Sequence, residues 1–399
     1  MNNSNYVYLD YAATTPMDVR VIDEINFHFK NTFGNASSLH TIGKEAHQIL
    51  ERSREKAASL INARPEEIIF TSSGTESDNI SILGVAQKLS KHGKHIITSS
   101  IEHHAVENPC KELEKQGFEV TYLPVNEYGE INLEELKNSI KEDTILITIM
   151  FANNEIGTIQ PIEEIGMIAK ENNIIFHTDA VQAFGKIPID VKKLNIDLLS
   201  ASSHKIYGPK GVGMLYLMDK GLKKGFGKIL KPIMYGGGHE KGLRPSTENI
   251  PGIAGFAKAV EIAEKEMSKE IEREVKIRDK IINNVLNDIE NCSLNGHPTK
   301  RLPNNCNFGF KYIEGESILL SLDMEGIGAS TGSACSSKSL EPSHVLKAIG
   351  LNPEDIHGSL RISIGRFTTM EEVDYFLEKL PPVINKLRMM SPLGKNKVH

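Results

Sequence analysis

Four cysteines in 399 residues, Cys110, Cys292, Cys306 and Cys335, with no CxxC pair among them, are too few and too scattered for a disulfide framework or a structural zinc site. Long hydrophobic runs are missing as well: the longest strongly apolar stretch, TILITIMFA at 144–152, is half a membrane span. Charge of one sign is not in excess either. Lys and Arg number 46 against 52 Asp and Glu, and the net charge of -6 steers the molecule toward neither nucleic acid nor an anionic membrane. Glycine (32) and proline (17) are too sparse for a fibrous or disordered chain. The opening MNNSNYVYLDYAATTP has no basic segment leading into an apolar one, so the expected location is the cytoplasm. What remains, 39% apolar and 25% charged, is the composition of a globular protein, and the length exceeds what one core sustains, which favours two domains.

Between residues 65 and 220 short β-rich runs alternate with helical patterns. The runs are EEIIFTS, HIITSS, FEVTYLPV, TILITIMFA, IIFHTDA, DLLSASS and GVGMLYLM; DNISILGVAQKL, NLEELKNSI and IEEIGMIAKENN carry the helical spacing. Several runs are continuously apolar rather than alternating, as in a mainly parallel sheet with helices on both faces. Residues 250–290 read as one long helix with charged faces, bridging to a smaller α+β unit made of NNCNFGFKY, EGESILLSLDMEG, SLRISIGR and a terminal helix from about 369.

Lys205, in SASSHKIYGPKGVG, follows a strand and precedes a Gly/Pro-rich turn. Alone it reads as a solvated surface lysine. Its neighbours Ser202, Ser203 and His204 offer donors suited to a phosphate, and an amine that bonds covalently to a carbonyl needs such surroundings to favour its neutral form. Asp179 ends an apolar strand, where α/β folds place their ligand crevice; it is either a helix cap or the partner of a cation such as a protonated pyridine, with Gln182 three residues on. In IIFTSSGTESDN, Gly74 and Thr75 open a helix after a strand, a phosphate cup or an ordinary N-terminal cap. No GxxxxGK[ST] is present, and GGGHEKG at 236–242 is weak evidence for a nucleotide. His103 and His104 follow another strand end; without HExxH or a Cys/Asp ligand set no metal is expected, and stacking on an aromatic cofactor is the better functional reading of His103. Cys335 sits in ASTGSACSSKS, a run of small polar residues that favours an exposed loop. A thiolate there can attack an electrophilic sulfur, whereas the other three cysteines read as packing residues.

In combination these segments resemble the NifS/IscS-like cysteine desulfurases on the aspartate-aminotransferase (type I PLP) fold. LDYAATTP, FGNASSLH, SSGTESDN, EHHAV, NNEIGTIQP, HTDAVQ, SSHKIYGPKG, GGGHEKGLRPST, GSACSSKSLEPSHV and LRISIGRFTT carry the resemblance across nearly the whole chain. It implies an α/β large domain over 15–258 and a small domain of 1–14 with 259–399, which holds the active-site cysteine segment at about 328–341. The implied cofactor is pyridoxal 5′-phosphate and the substrate L-cysteine. The resemblance makes Lys205 the Schiff-base lysine, Asp179 the pyridinium partner and Gln182 the partner of the ring hydroxyl, with His103 stacked on the ring. Gly74, Thr75, Ser202 and His204 would hold the phosphate, joined by Thr247 from the other subunit of a homodimer. Asn154, beside the cofactor, and Arg361 would bind the substrate carboxylate. Cys335 would take up sulfur as a persulfide and pass it to an iron–sulfur scaffold protein or a tRNA-thiolation partner, with transient contact to a nascent cluster. Rival readings on the same fold are a selenocysteine lyase, another PLP reaction such as transamination, or a non-catalytic sulfur relay. The length of the Cys335 segment resembles the desulfurase group that delivers sulfur outward.

Overall fold

The computed structural model describes residues 6–218, 229–331 and 342–392. A two-residue strand, β1 (Val7–Tyr8), leads into α1 (Val19–Asn31) and α2 (Thr41–Ser59). Seven strands then build one sheet: β2 (Ile68–Thr71), β3 (His95–Ser99), β4 (Glu119–Leu123), β5 (Thr144–Thr148), β6 (Ile175–Asp179), β7 (Leu198–Ser202) and β8 (Gly213–Leu217). Between them run α3 (Gly74–Leu89), α4 (His104–Lys115), α5 (Leu133–Asn138) and α6 (Ile162–Glu171). The long α7 (Ile250–Asp288) is followed by β9 (Cys292–Asn295), β10 (Asn305–Phe310), α8 (Gly315–Met324) and β11 (Ile327–Gly328). The chain closes with α9 (His344–Ala348), α10 (Pro353–Ile356), β12 (Ser359–Ser363) and α11 (Met370–Met390).

The large sheet runs β2-β8-β7-β6-β5-β3-β4. All its neighbours pair in parallel except β8, which is antiparallel to both β2 and β7. Every residue of β3, β5, β6 and β7 is buried, because helices cover both faces, whereas the edge strand β4 is partly exposed. The seven β-rich runs in the sequence all form strands, each shorter than its run. TILITIMFA leaves the strand after Thr148, yet Ile149 and Phe151 still donate to His177 O and Asp179 O, which carries Asn154 past the end of β6.

Among the described residues, helices without a clear sequence signal appear as well, α1, α2 and α4 the longest of them. In α1, His28 is buried while Phe27 and Phe29 face out, which inverts the usual pattern. The buried face of α2 consists of Gly43, Ala46, Ser53, Arg54, Ala57 and Ala58 beside a single leucine, Leu50, and α4 has Pro109 inside it. Cys110 and Cys306 are buried as expected of packing residues, but Cys292 is half-buried and donates from Sγ to Ile289 O at 2.9 Å.

Two further features tie the fold to the site. One is α7, whose Ile253, Phe256 and Val260 join the core against the large sheet, while Ile277, Ile281 and Val285 join a second core with Phe308, Leu360 and Phe376. Val7 and Leu9 belong to that second core, and β1 pairs with β11, so the chain start packs with the C-terminal unit before crossing to the large sheet. Among the described residues no helix is long and apolar enough to cross a membrane.

The other is a buried ion pair. Arg54 binds both carboxylate oxygens of Glu240, at 2.8 and 2.7 Å, and also Ile68 O at 2.7 Å, while Phe70 N donates to Glu240 Oε2 at 2.8 Å. The GGGHEKG segment is therefore anchored against β2, with Glu240 and Lys241 in left-handed backbone (φ 44° and 60°). Without Glu240 the buried guanidinium would keep only the part-exposed Glu51 carboxylate, 3.2 Å from its Nε, to offset its charge. Glu240→Ala is expected to destabilise the protein by about 3 kcal/mol or more, read from the urea midpoint; a loss below about 1 kcal/mol, the range of an exposed pair, would contradict the anchoring role.

Candidate active site

The carboxyl ends of β2, β3, β5, β6 and β7 open onto a cavity of about 530 Å³. Lys205 ends the 3₁₀ turn Ser203–Lys205 after β7, and its Nζ donates to Ala12 O at 2.6 Å and Ala13 O at 2.7 Å. Those carbonyls belong to the segment arriving from the second core, held by Ala12 N donating to Ser363 Oγ and Thr15 N to His204 O. The lysine is thus gripped by backbone dipoles.

Asp179, the last residue of β6, is buried and accepts from Val181 N at 2.9 Å. The residues that follow form a turn rather than a helix, so the helix-cap alternative survives only as this one bond. Burial pushes the Asp179 carboxyl above the usual carboxylate range, opposed by the nearby His103 and Lys205. Gln182 donates from Nε2 to Ala12 O at 2.9 Å and accepts at Oε1 from Lys186 Nζ at 3.0 Å.

At the start of α3 the cap is Ser73, whose Oγ accepts from Glu76 N at 3.1 Å, so Thr75 does not cap the helix. Gly74 and Thr75 line the cavity. A Cβ on Gly74 would lie 2.4 Å from Val181 Cγ2, so the close approach this glycine permits is to the turn after Asp179. Ser202 and His204 also line the cavity. His204 shares a 3.1 Å hydrogen bond with Thr14 Oγ1, and burial pushes its imidazole down to about 4. Ser203 is not among the lining residues, and its buried Oγ packs where a Cβ on Gly208 would fall.

His103 is the cap of α4, accepting at Nδ1 from Ala105 N at 3.1 Å. Burial lowers its basicity while Asp179 opposes the shift, so an uncharged imidazole faces the cavity. Arg361 donates from Nη2 to Asp10 Oδ1 at 2.8 Å and from Nη1 to Asn154 O at 3.1 Å; its Nε is buried without a partner among the described residues. Thr247 is exposed and does not line this chain's cavity. Cys335 lies outside the described residues; Ser330 on one side of it bridges to Arg361, and Pro342, Ser343 and His344 on the other line the cavity.

The structure adds residues whose roles the sequence did not signal. Asp78 is buried, lines the cavity and has Oδ1 without a hydrogen-bond partner. Glu102 accepts from Ser99 Oγ at 2.5 Å and from Met150 N at 3.0 Å, and His344 reaches Glu102 O at 2.8 Å. Asp78, Glu102 and His344 stand inside SSGTESDN, EHHAV and GSACSSKSLEPSHV without a role of their own in the sequence. Among the described residues no group of His, Cys, Asp and Glu could hold a metal ion.

This donor set fits pyridoxal phosphate. An amine within reach of the cavity, a carboxyl raised by burial, and a helix start flanked by Ser202 and His204 match an aldehyde, a pyridine nitrogen and a phosphate. The orphaned Arg361 Nε leaves one donor for a further anion.

The model of the family Aminotransferase class-V matches residues 7–376. The chain is 56% identical over 387 residues to a "Cysteine desulfurase IscS" of Methanosarcina thermophila, covering 97% of this chain and 94% of that protein. A protein of the same name from Dictyoglomus turgidum is 55% identical, with 97% and 96% covered. Among solved structures, a "NifS-like protein" superposes with a TM-score of 0.88 at 40% identity, covering 96% of this chain and all of that one.

Burial pushes the Glu102 carboxyl up to about 8 from its ordinary 4.5. The folded state thus binds a proton that the unfolded state releases between those values, and stability falls as pH rises from about 5 to about 8. Glu102→Gln is expected to flatten that decline, seen by comparing urea midpoints with the parent across this range; parallel curves would show that the carboxyl is ionised in the fold.

Proposed function

The chain belongs to the aminotransferase class-V family, and from that premise we propose that its cavity is where L-cysteine yields its sulfur to the thiol of Cys335. The protein is a pyridoxal-phosphate-dependent cysteine desulfurase that acts on cysteine and serves sulfur-acceptor proteins. The observation that carries the site assignment is the convergence of Lys205, Asp179 and the start of α3 on one cavity.

Pyridoxal phosphate, when bound, supplies an electron sink for the charge that develops at the substrate Cα. Lys205 would hold it covalently, Asp179 would face the ring nitrogen, Gln182 the ring hydroxyl and His103 the ring plane. Gly74, Thr75, Ser202 and His204 would hold the phosphate. Arg361 and Asn154 bind the cysteine carboxylate, a role supported by the orphaned Nε beside the Arg361 contact to Asn154 O. The Lys205 amine takes the Cα proton. The Cys335 thiolate attacks the substrate sulfur: an S–S bond forms, the C–S bond breaks, and its electron pair stays with the carbon skeleton, which becomes alanine after protonation. His103, held neutral by burial, is suited to move that proton.

A homodimer in which Thr247 reaches the partner's phosphate site is supported by the exposure of Phe27 (58%), Phe29 (68%), Phe33 (80%) and Leu39 (88%) along α1 and the segment after it, apolar surface that a second copy would cover. The division into 15–258 and 1–14 with 259–399 is supported by the two cores that share α7 and by Val7 and Leu9 in the second. Iron–sulfur scaffold proteins, and tRNA-thiolation partners, are the acceptors proposed, with the reaction in the cytoplasm.

Lys205→Ala is expected to end multiple turnover and to remove the visible absorbance of the bound cofactor, because one amine both anchors it and moves the Cα proton. Sustained alanine production by this variant would reject the assignment. Cys335→Ser is expected to keep the cofactor colour and a spectral response to cysteine but to release little alanine, a hydroxyl being a poor nucleophile toward sulfur. Mass spectrometry of the cysteine-treated parent should find the extra sulfur on Cys335; finding it on Cys110, Cys292 or Cys306 would overturn that role.

A further inference from the structure

Gln182 is held by a residue that no step above uses. Lys186 lies four residues on, past the left-handed Gly185 (φ +70°), where a Cβ would meet Ile206 Cγ2 at 2.9 Å. This turn brings the Lys186 amine back beneath the site, where Nζ donates to Gln182 Oε1 at 3.0 Å. The amide nitrogen of Gln182 in turn donates to Ala12 O at 2.9 Å, the carbonyl that also receives Lys205 Nζ at 2.6 Å. Lys186, Gln182, Ala12 and Lys205 thus form one continuous chain of hydrogen bonds.

The polarity of that chain is fixed by its ends. An ammonium only donates and a carbonyl only accepts, whereas a carboxamide has two nearly isosteric faces of opposite sense. Between Lys186 and Ala12 O the amide has one favourable orientation, oxygen toward the lysine and N–H₂ toward the cavity wall. A second carboxyl accompanies the amine. Glu274, buried on α7, shares a small cavity of about 30 Å³ with Lys186, Tyr11, Tyr207 and Arg366. Lys186 is half-buried as a residue, yet burial around its amine and the proximity of Lys205 push it down to about 7; burial likewise pushes Glu274 up to about 8. If packing were the only requirement, methionine would fill the same space without the cost of a buried amine.

We propose that Lys186 is a positioning residue of the cofactor site, pinning the Gln182 carboxamide so that its N–H₂ is presented to the ring hydroxyl while Ala12 O stays aligned for Lys205. The inference rests on the reading of Gln182 and Lys205 as cofactor residues. Its test strips the full-length protein of pyridoxal phosphate and reloads it, following affinity by absorbance and the unfolding midpoint of the stripped protein by calorimetry. Lys186→Met is expected to weaken pyridoxal phosphate binding about tenfold, about 1.4 kcal/mol, with the stripped protein's midpoint no lower than the parent's. Lys186→Arg, which keeps an N–H donor and can use the adjoining cavity, is expected to recover most of the affinity. Because Lys186 acts through Gln182, Lys186→Met added to Gln182→Leu should cost nothing beyond Gln182→Leu alone. Parent-like affinity in Lys186→Met, affinity loss that follows a fall in the midpoint, or additive losses in the double variant would each overturn the proposal. A parent protein that fails to bind pyridoxal phosphate would instead overturn the reading of the site itself.

Discussion

Everything at this site depends on burying an acid and an amine at the same edge of a parallel sheet. Asp179 ends β6 inside the protein, where burial alone drives its carboxyl toward the neutral form. His103 and Lys205 pull the other way, and a pyridinium would complete the compensation. The surroundings follow from that balance: His103 stays neutral, Glu102 and Asp78 are themselves pushed toward the neutral form, and two backbone carbonyls grip the lysine.

The carbonyls that grip Lys205 come from residues that travel a long way to reach it. Ala12 and Ala13 follow β1, which packs with β11 in the second core, and Arg361 on β12 contacts both Asp10 and Asn154. The lysine and aspartate thus come from the large sheet, and the lysine's acceptors and the guanidinium from the C-terminal unit or the segment packed with it. The 39 residues of α7, shared by both cores, fix their separation. The site's geometry is a property of how the two cores meet.

Much of this was legible in the chain. The seven β-rich runs marked the sheet, several of them continuously apolar because strands covered on both faces have no solvent side, and the placement of Lys205, Asp179 and Gly74 just beyond three of them marked the strand ends where a ligand sits. Less legible were α1, α2 and α4, since helices that bury His28, Arg54 or Pro109 break the apolar spacing by which helices are read. Glu102, Asp78 and Lys186 escaped for a related reason: each is a charged side chain of a kind that normally faces water, and nothing local shows that it is turned inward.

The sequence by itself determined the chemistry that is possible here: one lysine at a strand end, one aspartate at another, a glycine-led helix start and a cysteine among small polar residues, each set by short-range order along the chain. Only the tertiary structure decided which groups face one another and in what protonation state. Proton affinity depends on burial and on neighbours that are distant in sequence, as with Asp179 against His103 and Lys205, or Lys186 against Glu274, and such distances are created only when the chain folds.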